Sequence, residues 1–68
     1  MSVREDIVSR AEHEGRVFEI AADLPEVGYY LYVYEGDRNT RDYLQDTVEM
    51  CKRCALEHFG VPMSEWSN

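Results

Sequence analysis

Hydrophobic and polar residues along this chain fall into four blocks, two with helical spacing around two that alternate. In the first, Ser2 to Glu14, Val3, Ile7 and Ala11 recur every four residues with Val8 beside them, a narrow apolar stripe of helical period. Ser2 and Glu5 stand in capping-box spacing at its start, Asp6 and Arg10 form an i,i+4 pair, and Gly15 is placed to end it. The second block, Arg16 to Asp23, alternates Phe18, Ile20 and Ala22 with Val17, Glu19 and Ala21 and reads as a strand. Leu24-Pro25-Glu26-Val27-Gly28 then breaks regularity. The third block, Tyr29 to Glu35, is almost wholly aromatic and β-branched, and with the second it predicts a hairpin.

The fourth block predicts a long helix from Asn39 or Thr40 to Phe59. Either residue can cap it, and Asp42 would place a negative charge in its first turn. At 100° per residue Leu44, Thr47, Val48, Cys51, Cys54, Ala55, His58 and Phe59 share one side, while Gln45, Asp46, Glu49, Lys52, Arg53 and Glu57 share the other. Gly60 and Pro62 supply the stop, Val61 the apolar contact after it, and Met63 to Trp66 a short turn that returns Trp66 to the core. The expected architecture is therefore a single α+β domain over residues 1–68, ordered α-β-β-α, with a two-stranded antiparallel hairpin packed on the long C-terminal helix. Two strands are marginal in water, so the sheet is expected to be extended by dimerisation.

Size sharpens that expectation, because a chain of 68 residues buries only about 60% of its unfolded surface. Two cysteines cannot build a disulfide framework, the N-terminus has no apolar run of a secretory leader, and no stretch reaches the roughly 20 apolar residues of a membrane span. These features predict a cytoplasmic protein without a membrane partner. Fourteen acidic residues against seven basic ones give a net charge of −7, spread along the chain with neither an acidic tail nor a basic arm. Nucleic-acid binding depends on Lys and Arg neutralising phosphates, so no nucleic-acid partner is expected.

The run Gly28-Tyr29-Tyr30-Leu31-Tyr32-Val33-Tyr34-Glu35-Gly36, with Asp42-Tyr43-Leu44-Gln45-Asp46-Thr47, Phe59-Gly60-Val61-Pro62 and Trp66, resembles a group of short, uncharacterised bacterial proteins. The resemblance covers roughly residues 16–66. It implies a bacterial origin and a hairpin-plus-helix core, and it carries no catalytic residue.

Three constellations bear on chemistry. Cys51 and Cys54, two residues apart inside the fourth block, share a helical face with His58, and His13 could complete four zinc ligands. A strong zinc signature has two paired knuckles, whereas small cysteines on an apolar helix face usually pack. Redox exchange needs a thiolate at a helix N-terminus, and Cys51 would lie deep in the predicted helix. His13 and His58 among many carboxylates form no readable nucleophile triad, and no glycine-rich phosphate loop is present. In the third block, Tyr30, Tyr32 and Tyr34 point one way and Tyr29, Leu31 and Val33 the other, so one set lines the core and the other forms a row of phenols. Either the first helix covers that row or it is an interface, where tyrosine is enriched. The chain thus reads as an acidic protein-interaction module, a homodimer that binds another protein in the manner of an antitoxin-like inhibitor, with no cofactor and no enzymatic role. The second reading is a metal-binding regulator using Cys51, Cys54 and His58.

Overall fold

A computed structural model describes residues 7–22 and 28–67. It contains four strands, β1 (Ile7–His13), β2 (Arg16–Ala22), β3 (Tyr29–Glu35) and β4 (Arg38–Gln45), then one helix, α1 (Val48–Phe59), and a 3-10 turn at Met63–Glu65. The strands form one antiparallel sheet in the order β1-β2-β3-β4. This overturns the α-β-β-α arrangement and the two-stranded sheet completed by a second chain. The sheet has four strands within one chain.

The first block is a strand because its neighbour demands one. His13 pairs with Arg16 across a two-residue loop. Glu14 (φ 50) and Gly15 (φ 80) both take positive φ, the requirement of the I′ turn that matches strand twist. Gly15 thus makes a hairpin where it was expected to end a helix. Ser9, the residue that breaks the apolar alternation of β1, is buried, and its hydroxyl donates to Ser67 O at 2.8 Å. The Ser2–Glu5 capping box lies outside the described residues.

The long fourth helix is likewise corrected, over its first half. Glu35 pairs with Arg38 around Gly36-Asp37, and a bulge between Val33 and Tyr34 follows in the register. Gly36 takes φ 68 at the first central position of the loop. Asp42 and Leu44 therefore lie in a strand, and Leu44 is 49% exposed. Helix α1 starts later, capped by Thr47, whose hydroxyl accepts from Met50 N at 3.1 Å. It stops as expected: Gly60 is left-handed at φ 74, its N–H reaches Leu56 O at 2.9 Å, and Val61 is fully buried.

The core lies between α1 and one face of the sheet. Phe18, Ile20, Leu31 and Val33 from β2 and β3 meet Cys51, Cys54, Ala55 and Val61, with Tyr29, Tyr43, Phe59 and Trp66 around them. Phe18 is the hub, its ring 5.3 Å from Phe59 and 6.4 Å from Trp66, both within the favourable range for aromatic pairs. The chain after α1 returns to β1, where Arg10 N donates to Ser67 O at 3.0 Å and Ser67 N to Arg10 O at 2.8 Å. The outer edge of β1 is paired at mid-strand in this way. The other, β4, has no strand beside it among the described residues.

Candidate functional site

Antiparallel pairing sorts every strand residue to one of two faces. Leu31 and Val33 face α1, so Tyr30, Tyr32 and Tyr34 face away, as the alternation requires, and each is half-buried. The register then gives the rows that cross this second face of the sheet. Ala21, Tyr30 and Leu44 form the first row. Arg10, Glu19, Tyr32 and Asp42 form the second. Glu12, Val17, Tyr34 and Asn39 form the third. A column of three phenols thus runs down the centre of the face, flanked at mid-height by two carboxylates.

The rings of this column are packed on one another. Tyr30 and Tyr32 stack with centroids 5.6 Å apart and planes 19° from parallel, and Tyr32 and Tyr34 are 6.5 Å apart and tilted by 42°. Both separations are those of offset aromatic pairs. Because i and i+2 neighbours along one strand are stacked, the rings stand up from the sheet as a ribbed surface. Arg10 is shared between carboxylates, its Nη1 2.9 Å from Glu12 and its Nε 3.9 Å from Glu19. Asp42 is exposed on the other side of the column.

The second constellation separates into two environments. Cys51 is fully buried beneath α1, with its thiol donating to Tyr29 O at 3.7 Å, and Cys54 is buried one turn on. Both thiols are free. Burial, followed by the neighbouring Cys54, pushes Cys51 from 9.0 up to about 11; burial, followed by Glu57, pushes Cys54 upward as well. Such thiols stay protonated at neutral pH and are weak nucleophiles. His58 is exposed, and its ring stacks on Tyr43 at 5.3 Å. His13 sits at the β1–β2 turn with Nε2 3.1 Å from Glu14. Among the described residues no group of three or more His, Cys, Asp or Glu side chains is placed to hold a metal ion.

Two shallow hollows lie on the outer side of α1. One, of about 440 Å³, is lined by Glu49, Arg53, Leu56, Glu57 and Met63. The other, of about 300 Å³, is lined by Gln45, Met50, Arg53, Cys54, Glu57 and His58. Cys54 is the one thiol lining either, and burial raises its pKa above the ordinary value. Sequence reasoning located the phenol row but missed its companions Asp42 and Leu44, because the strand that carries them was read as helix. The Gly36-Asp37 pair between two β-prone segments was the signal that could have found it.

No family model, curated protein or solved structure matches the chain. No helix among the described residues is long and apolar enough to cross a membrane.

Proposed function

We propose that the chain is a cytoplasmic protein-interaction module, of the acidic inhibitor or antitoxin type, that binds its partner through the sheet face bearing Tyr30, Tyr32 and Tyr34. One observation carries this reading. Helix α1 covers one side of a four-stranded sheet, and an aromatic column occupies the other. Tyrosine supplies large, stiff contact area with a polar tip, which suits a surface that is wet when free and dry when bound. A platform for bases or sugars would present ring faces outward, whereas these rings are turned toward each other. The two free thiols fit a reducing compartment. A second copy is no longer required to complete the sheet, which removes the original motive for a homodimer.

The test compares proteins retained from a native-host extract by the wild-type chain, by Tyr30→Ser/Tyr34→Ser, and by Leu56→Ser/Met63→Ser on the outer side of α1. A partner held by the wild type should be lost with the tyrosine variant and kept with the helix variant, all three showing the same far-UV spectrum. The reverse pattern would refute the assignment of the site.

A further inference from the structure

We infer that the partner's binding surface is basic, offering arginine or lysine side chains to the carboxylates that flank the tyrosine column; this rests on the sheet face being the interface. The argument is one of charge complementarity. On the described part of that face stand three carboxylates, Glu12, Glu19 and Asp42, and one guanidinium, Arg10. Arg10 is already engaged by Glu12 at 2.9 Å and approached by Glu19 at 3.9 Å. Asp42, on the opposite side of the column, makes no ion pair with a described residue. The face therefore presents aromatic surface with uncompensated negative charge beside it, on a chain of net charge −7.

That combination selects among occupants. Cations are attracted to carboxylates, and an arginine can fork onto a carboxylate while its remaining N–H groups donate to a neighbouring phenol oxygen. A second copy docked face to face would bring Glu19 and Asp42 toward like charges across the two-fold axis. A phosphate backbone would meet the same repulsion. A neutral apolar partner would leave the carboxylates desolvated without a counter-charge. A basic protein surface alone gains from both carboxylates of the middle row.

The probe is a soluble twelve-residue peptide alternating arginine with threonine, titrated into the isotope-labelled full-length chain and followed by amide chemical shifts. Shifts should gather on β3 and β4 around Tyr30–Tyr34 and Asp42. Glu19→Gln/Asp42→Asn should weaken the dissociation constant about five-fold, whereas Glu49→Gln/Glu57→Gln, which removes the same charge from the outer side of α1, should leave it nearly unchanged. Equal losses in the two double variants, or shifts confined to α1, overturn the inference. So does sedimentation of the free chain as a dimer that Tyr34→Ser dissociates. Failure of the peptide to bind, with a native partner still lost on Tyr30→Ser/Tyr34→Ser, refutes the basic partner and leaves the sheet-face reading standing. Peptide binding as expected, with native partners indifferent to the tyrosines, refutes the sheet-face reading.

Discussion

Gly28, the residue just before β3, should be the least replaceable glycine in the chain. Its φ is +113, and a Cβ built there would lie 2.3 Å from the carbonyl oxygen of Gln45, 3.3 Å from its carbonyl carbon and 3.4 Å from Asp46 Cα. All three atoms are backbone, so no side chain can swing aside. Reaching even 3.0 Å from that oxygen requires about 0.7 Å of displacement at the end of β4. There Gln45 pairs with Tyr29, and the chain turns two residues later into the Thr47 cap. Positive φ in a non-glycine residue costs roughly 1–3 kcal/mol, and overpacking with backbone movement costs about as much again. Gly28→Ala should therefore destabilise by about 4 kcal/mol, against a total of about 3–10 kcal/mol for a domain of this size at typical stability per residue. Gly60→Ala is the internal control. Its φ of +74 carries the backbone strain, yet an added Cβ meets nothing within 4 Å. In thermal melts followed at 222 nm, Gly28→Ala should fall at least about 15 °C below the wild type at 4–8 °C per kcal/mol, with Gly60→Ala far less affected. Equal melting temperatures for the two variants would show that the close approach of β3 and β4 at Gln45 does not exist.

Three further outcomes follow from the same packing. Gly60→Val should cost more than Gly60→Ala and at least about 1 kcal/mol in urea titration, because a branched residue resists the left-handed stop of α1. Thr47→Ala should cost about 1 kcal/mol by removing the acceptor for Met50 N; an unchanged urea midpoint would mean that α1 is not capped there. The cysteines should impose a pH dependence: with Cys51 raised from 9.0 to about 11, the unfolded thiol ionises first, so stability is whole below pH 9 and declines as pH rises toward 11. The loss is on the order of 2 kcal/mol, and Cys51→Ala/Cys54→Ala should flatten that slope relative to the wild type in urea titrations across this range.

The parts of the fold legible from sequence are those where pattern and packing agree. Block three is strand β3 residue for residue, and block two is β2 to within one residue, since both alternate apolar residues facing α1 with residues on the second face. The stop at Gly60 was legible because Gly-x-Pro chemistry is local. Strand β1 was hidden by Ser9 and Ala11: a polar and a small residue occupy inward positions, and the spacing of Ile7 and Ala11 then imitates a helix. Strand β4 was hidden because it is a polar edge strand, exposed at its first five residues, with Tyr43 as its main contribution to the core. Leu44 supported the helical stripe only while its true direction, across the sheet beside Tyr30, was unknown. Of the candidate site, the phenol column was readable from period two alone, whereas its flanking carboxylates come from neighbouring strands and depend on register.

The closure of β1 by Ser67 gives the sheet a valence. A sheet with two open edges can accept a neighbour on each side and grow into a filament, each addition regenerating the template for the next. Here Arg10 and Ser67 occupy each other's backbone groups at mid-strand and block a neighbour there, so along the described chain only β4 offers an uninterrupted outer edge. A unit with one free edge is monovalent. If two β4 edges meet, both are consumed and growth ends at a pair. The exposed charges of Arg38, Arg41 and Asp42 on that strand blunt the edge against even this meeting. Damage that detaches Ser67 from β1 would change the count from one to two and turn a terminating contact into a propagating one.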